Sequence, residues 1–354
     1  MSIINEVKMS LGNSVVMVGG GAGFIGSHFV RLILANHPGV KVVILDALTY
    51  AGNLSTIAPL LGDRCVFVAG KIQDQTVVDG TIKAHGVTHI VNFAAETHND
   101  RSILDPGSFI MTDVFGVFTL CEATKKYGLK KFVQVSTDEV YGSIGTGAFT
   151  ESSPIQPNTP YSSAKAGGDL QARGHHITFG TPVCVTRGGN NYGPYQYPEK
   201  LISLFAVRLL QGKKVPLYGE GNQVREWIHV EDHCRGIEAV LLNGEPGTVY
   251  NIGDSNERTN RDIVNILLEA TGRDESLVKK IEDPRKGAHD TRYSMECANT
   301  HALGWKPTKD FETAIRQTVE WYRDNTAWWE PIIARPDYQE FIKAFYGKSL
   351  GEDL

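Results

Sequence analysis

The sequence predicts an α/β protein: a Rossmann-type doubly wound parallel sheet with a smaller, interleaved C-terminal domain. Three observations carry this. Short β-branched apolar runs alternate with helical patterns through the first half. A glycine-dense turn follows the first of those runs. After Asn190 the pattern changes, to loops such as Tyr192-Gly193-Pro194-Tyr195 and Tyr218-Gly219-Glu220-Gly221.

In order, the expected strands are Ser14–Val18, Lys41–Asp46, Cys65–Ala69, His89–Ala94, Lys131–Ser136, Val183–Arg187 and Val249–Ile252. Most are nearly continuous apolar runs, as strands covered on both faces require. Helical patterns lie between them, near Phe24–Ala35, Gln75–His85, Ser108–Tyr127 and Ser162–Thr178, and later near Glu199–Leu210, Arg258–Ala270 and Phe311–Trp321. The run Val249–Ile252 still reads as a strand of the main sheet. The expected dinucleotide-binding domain is therefore 1–196 and 229–254, and the substrate domain 197–228 and 255–354. The segment Pro331–Leu354 shows no pattern that assigns it a role.

Composition narrows the classes. The 354 residues admit two domains, at roughly 100–200 residues each. Hydrophobic residues at 41% and charged residues at 21% fit a globular chain. A net charge of −5 supplies no bulk attraction to nucleic acid or anionic lipid, so neither is an expected partner. No apolar run approaches the roughly 20 residues that cross a bilayer, and Met1–Ser14 has no signal-peptide core, so the expected location is the cytoplasm. The cysteines Cys65, Cys121, Cys184, Cys234 and Cys297 are scattered and odd in number, and read as small core residues. No metal site is expected. Glycine is enriched, at 37 residues, and the excess needs a location.

Its densest cluster is Gly19-Gly20-Gly21-Ala22-Gly23-Phe24-Ile25-Gly26, directly after an apolar strand and before a helix. Missing side chains at Gly20, Gly23 and Gly26 let the chain turn tightly and let a pyrophosphate reach amides at a helix N-terminus. Asp46 ends the next strand, where a carboxylate accepts bonds from both ribose hydroxyls and repels a 2′-phosphate. The expected cofactor is NAD rather than NADP.

Tyr161 and Lys165 are spaced to share one helix face. The lysine ammonium and a positive nicotinamide are expected to lower the tyrosine pKa, making it a base. Thr137-Asp138-Glu139 follows a strand. The Thr137 hydroxyl can bond a substrate oxygen there. Adjacent acids usually solvate a loop, but beside a redox site they suggest one protonated donor and one ionised base.

These residues resemble the extended short-chain dehydrogenase/reductase superfamily, and within it the nucleotide-sugar 4,6-dehydratases, above all those acting on dTDP-glucose. The resemblance runs from about Val15 to Trp329. It rests on Gly20–Gly26, Leu45–Asn53, Phe93–Ser102 (which contains His98-Asn99-Asp100-Arg101-Ser102), Ser136–Gly142, Tyr161–Lys165, Asn190–Gln196 with Pro198–Leu201, and Val224–Trp227. The ending Trp328-Trp329-Glu330-Pro331 is similar to the form found in deoxysugar pathways of antibiotic-producing bacteria.

The resemblance implies roles. Tyr161 would take the proton of the sugar 4-hydroxyl while C4 is oxidised by NAD. Glu139 would remove the C5 proton, Asp138 would protonate the leaving 6-hydroxyl, and hydride would return to C6. Phe24, Ile25, Lys71, Ile72 and Ala94 would line the cofactor site. Glu96, Thr97, Thr137, Asn190, Lys200, Arg225, Asn260, Arg285 and His289 would bind the nucleotide sugar. The family's paired helices imply a homodimer; the sequence itself makes Phe109–Ala123 apolar almost all round, a helix expected to be buried on more than one face.

Several positions depart from the family pattern. Gly19 stands in place of threonine. Lys71 stands where an aspartate normally meets the adenine amino group, and Asp113 where asparagine is usual. Gly188-Gly189 replaces a Cys/Ser-like pair, and Arg285-Lys286-Gly287-Ala288-His289-Asp290 carries one residue more than the usual pattern. Two rival readings stay open: a 4-epimerase or dehydratase of another nucleotide sugar such as UDP-glucose, and a non-catalytic sugar-nucleotide-binding relative.

Overall fold

Apolar runs without polar alternation need cover on both faces, and in the computed structural model they have it. The structure describes residues 11–283 and 291–351. The strands are β1 Val15–Gly19, β2 Lys41–Asp46, β3 Cys65–Ala69, β4 His89–Asn92, β5 Lys131–Thr137 and β6 Val183–Gly188. There follow β7 Asn190–Tyr192, β8 Val215–Tyr218, β9 Val224–His229, β10 Val249–Ile252, β11 Glu257–Thr259 and β12 Val278–Ile281.

Seven strands form one sheet in the order β10-β6-β5-β4-β1-β2-β3, every pair parallel. The order reverses between β1 and β4, and the crevice beyond their carboxyl ends is where such sheets bind ligands. Side chains alternate across the sheet. Val16, Val18 and Val91 pack with Phe29, Ile33 and Ile237 on one face. Met17, Val43 and Ile90 pack with Val78, Ile82 and Leu120 on the other.

A second core lies beside this sheet, built from Phe205, Leu209, Leu267, Ile315, Tyr322 and Trp329. Two small sheets accompany it, β11-β9-β7 and β12-β8. The C-terminal segment joins it through Tyr338, Phe341, Tyr346 and Leu350.

Two helices bear on the site. Pro160–Phe179 starts sharply: Thr159 and Ser162 form a reciprocal capping box, proline occupies the first turn, and Gly180 ends it at φ 67°. Tyr161 and Lys165 therefore stand in its first two turns. The stretch expected as one helix over Ser108–Tyr127 is helical throughout, with a π-helical turn Ile110–Phe115 between Pro106–Phe109 and Gly116–Tyr127. Burial on several faces does not hold within the single chain. Ile110, Phe115 and Phe118 are exposed, as are Leu170 and Ile177 on the Pro160–Phe179 helix. These exposed apolar side chains stand on two helical segments that pack against each other.

All five cysteines are buried and unbridged. Among the described residues no helix is long and apolar enough to cross a membrane, and no His/Cys/Asp/Glu group could hold a metal ion.

Candidate active site

The switch point opens into a cavity of about 850 Å³ between the sheet and the second core. Gly20, Gly23, Phe24, Ile25 and Gly26 line it where β1 passes into the Phe24–Asn36 helix. Two of these positions admit only glycine. A Cβ on Gly20 (φ 71°) would meet the Ala94 amide nitrogen at 2.5 Å, and one on Gly26 would meet the Gly20 carbonyl at 2.3 Å. The backbone is thus bared at a helix N-terminus, the cradle that a pyrophosphate requires. Asp46 closes the far side of this cradle. Its carboxylate accepts from Ala22 N at 2.9 Å and Leu48 N at 2.8 Å, which fixes it with lone pairs left for ribose hydroxyls. Ile72 and Ala94 line the cavity between Asp46 and the reactive end; Lys71 is exposed at its edge.

The reactive end lies at the carboxyl end of β5. Thr137 donates to Asp138 Oδ1 at 3.0 Å and accepts from Glu139 N at 3.3 Å, so one hydroxyl orders both acids. Asp138 is 2% exposed, and burial, then the neighbouring Glu139 and Glu226 charges, pushes its pKa well above the carboxylate range. That direction favours the protonated form, the one an acid donor requires. The Glu139 carboxylate accepts from Asn99 Nδ2 at 2.7 Å.

Lys165 Nζ donates to the Val135 carbonyl at 2.9 Å and lies 3.7 Å from Asp113 Oδ1. In the chain by itself burial raises the Tyr161 phenol pKa well above its ordinary value, and the Glu139 and Asp113 charges raise it further, while a hydrogen bond with Thr137 opposes them.

The substrate residues expected at 96, 97, 190, 200, 225 and 260 line the same cavity. Lys200 donates to the Thr97 carbonyl, which ties two of them together. Glu96 is pushed above the carboxylate range by burial and by Glu199. The Arg225 guanidinium sits 4.6 Å from the Tyr293 ring, and Asn260 opens the Asn260–Thr271 helix. Arg285 and His289 lie outside the described residues.

The structure adds residues that the spacing did not reveal. Asn99 and Asp100 lie within a motif already conspicuous in the sequence. Tyr218 and Tyr346 reach the cavity from β8 and from the C-terminal segment, and both donate toward Asp100 Oδ2, at 3.3 and 3.4 Å. Nothing local marks Tyr346, since its partner is 246 residues away. The glycine pair of the β6 end also has an explanation. A Cβ on Gly188 would meet the buried His233 ring at 2.5 Å, and Gly189 lines the cavity near Asp138.

A family profile described as GDP-mannose 4,6 dehydratase matches residues 17–318. The chain belongs to the nucleotide-sugar 4,6-dehydratase family.

Curated relatives include a dTDP-glucose 4,6-dehydratase from Streptomyces antibioticus, 47% identical over 91% of this chain and 96% of the relative. One from Streptomyces niveus is 49% identical over 90% of this chain and 95% of its own length. Among solved structures, the dTDP-glucose 4,6-dehydratase DesIV from Streptomyces venezuelae, with NAD and dTDP bound, has a TM-score of 0.87. It is 49% identical, over 90% of this chain and 99% of that one. A UDP-glucose 4-epimerase from Thermus thermophilus in complex with NAD shares the fold at 29% identity and a TM-score of 0.81, over 88% of this chain and 99% of that one.

Proposed function

We propose that the protein is a dTDP-glucose 4,6-dehydratase that converts dTDP-glucose to dTDP-4-keto-6-deoxyglucose. The observation that carries this is the pair at the end of β5: a buried Asp138, its pKa raised, next to Glu139, facing one cavity with Tyr161. Removing water from a sugar needs one acid and one base at adjacent carbons. A 4-epimerase has no elimination step and no use for the pair. The likeness to curated dTDP-glucose dehydratases at 47–49% identity supports the same reading.

NAD is the cofactor, and the bared backbone at Gly20–Gly26 with Asp46 fits its pyrophosphate and ribose. When bound, it supplies the hydride acceptor for C4 and the donor for C6. The chain's own residues do the rest. Tyr161, which lines the same cavity as Thr137, takes the proton of the 4-hydroxyl. The 4-keto group acidifies the C5 hydrogen, and the Glu139 carboxylate removes it. Asp138 passes its proton to the departing 6-hydroxyl, which leaves as water. Lys200 and Arg225 supply the cations for the diphosphate, Asn190 and Asn260 hydrogen-bond the nucleotide, and Glu96 and Thr97 border the sugar.

The exposed apolar face of the Ile110–Tyr127 and Pro160–Phe179 segments is the surface on which two copies pair as a homodimer. Five unbridged, buried thiols suit a reducing compartment, the cytoplasm.

The test is direct. Purified protein is incubated with dTDP-glucose or with UDP-glucose, made alkaline, and read for the ultraviolet chromophore of a 4-keto-6-deoxy sugar. Product from dTDP-glucose is expected; none from either sugar refutes a dehydratase. Glu139→Gln is expected to stall after C4 oxidation, with reduced cofactor accumulating.

A further inference from the structure

Asn99 stands at the start of the short helix Asn99–Leu104 and lines the cavity. Its two amide atoms have different surroundings. Nδ2 donates to Glu139 Oε2 at 2.7 Å, whereas Oδ1 is buried without a hydrogen-bond partner among the described residues. An ionised carboxylate can only accept, so the amide cannot turn over without opposing oxygen to oxygen. Turning it over would also cost the Nδ2–Glu139 bond, so the amide orientation is set by Glu139.

Both sides of Asn99 are anchored independently of it. His98 Nε2 is bonded to the Glu199 carbonyl at 3.2 Å, and Arg101 Nε donates to the Glu199 carboxylate at 3.1 Å. The Arg101 guanidinium also lies 3.9 Å from the Tyr50 ring. The Asn99 backbone is therefore held by its neighbours, and its amide is directed at Glu139. Glu139 is fixed from two directions: its amide nitrogen by Thr137, and its Oε2 by Asn99.

We propose that Asn99 is a positioning residue for the elimination, holding Glu139 by Oε2 so that Oε1 takes the C5 proton. This rests on Glu139 being the C5 base. The step balances without Asn99 exchanging a proton. The C5–H bond breaks toward Glu139 Oε1, its electrons form the C5–C6 double bond, and hydroxide leaves C6 with the proton from Asp138. A side chain that fixes a base within a fraction of an ångström acts chiefly on this step, because C4 oxidation uses Tyr161 instead.

The experiment is a single-turnover comparison of wild type, Asn99→Leu, Asn99→Asp and Glu139→Gln with dTDP-glucose. Three quantities are followed: reduced nicotinamide by its near-ultraviolet absorbance, solvent deuterium entering at C5, and kcat against KM. Leu removes both polar atoms at similar volume. Asp keeps an acceptor but sets a second carboxylate against Glu139. Both variants are expected to accumulate reduced cofactor and to slow C5 exchange and kcat by roughly ten- to a hundredfold, with C4 oxidation slowed far less. KM should change far less. If either folded variant exchanges C5 at the wild-type rate, or loses C4 oxidation to the same degree, the proposal is overturned. Should Asn99→Leu fail to fold, Asn99→Asp, nearly isosteric with the native residue, decides. Turnover by Glu139→Gln without a stall refutes the base itself. A stall there with normal Asn99 variants refutes only the positioning role.

Discussion

Asp113 Oδ1 lies 3.7 Å from Lys165 Nζ, with both side chains buried, in the π-helical turn that interrupts the helix before Gly116. That separation is an ion pair rather than a good hydrogen bond. The other Asp113 oxygen accepts from Glu96 N at 3.3 Å. The acid thus sits among Lys165, Glu96 and Tyr161, close to the reacting groups. Burial raises its pKa to about 7, and the Lys165 charge opposes the rise.

The sign of the resulting pH dependence follows from which state keeps the proton. Between the unfolded value of 3.8 and about 7, the folded protein holds a proton on Asp113 that the unfolded chain has released. Raising pH through that window therefore removes stability. Asp113→Asn is expected to flatten this part of the profile and raise Tm most near and above pH 7, read by thermal unfolding across the window. With one negative charge fewer beside Tyr161, the rising limb of the rate profile should also move to lower pH.

Lys71 is exposed at the edge of the cofactor cradle and its ammonium can accept no hydrogen bond from an adenine amino group. Lys71→Asp supplies an acceptor there. Retention of NAD should tighten about five- to tenfold, the worth of one hydrogen bond of about 1–1.4 kcal/mol. Cofactor content after dialysis and a calorimetric titration measure it; unchanged retention counts against this placement of the adenine.

Gly19 is explained by a buried neighbour. A Cβ there would lie 2.5 Å from Asn92 Oδ1, and Asn92 is tied to Ala94 N at 3.1 Å and to Gln134 at 2.9 Å. Asn92 occupies the space that a threonine would need. Gly19→Thr is therefore expected to lose about 1–3 kcal/mol of stability, read by denaturant unfolding.

Phe115 and Leu170 are 44% and 55% exposed on the apolar face shared by their two helices. Charges there should prevent pairing of two copies without disturbing either core. The double variant Phe115→Glu, Leu170→Glu is expected to sediment as a monomer and the wild type as a dimer. A monomeric wild type would remove this surface from consideration as an interface.

The residues of the reactive end were legible because their spacing is local. Tyr161 and Lys165 share a helix face, and Thr137, Asp138 and Glu139 are consecutive at a strand end. Asn99 was visible only as part of a motif; its bond to Glu139 spans 40 residues and depends on how two loops meet. The spacing did not show how deeply Tyr161 is buried, which raises its phenol pKa in the chain by itself, nor that the Lys165 ammonium meets the Val135 carbonyl and Asp113.

The sequence by itself determined the parallel sheet, the glycine cradle with Asp46, and the acid pair beside a YxxxK helix, because each is written in neighbouring residues through periodicity and turn chemistry. Tertiary structure alone decided which neighbour each polar group meets. It placed the Tyr346 hydroxyl of the C-terminal segment at Asp100, set His233 against Gly188, and left one face of an apolar helix exposed. Those outcomes depend on packing across long separations and on how far each charge is withdrawn from water, and no local pattern encodes either.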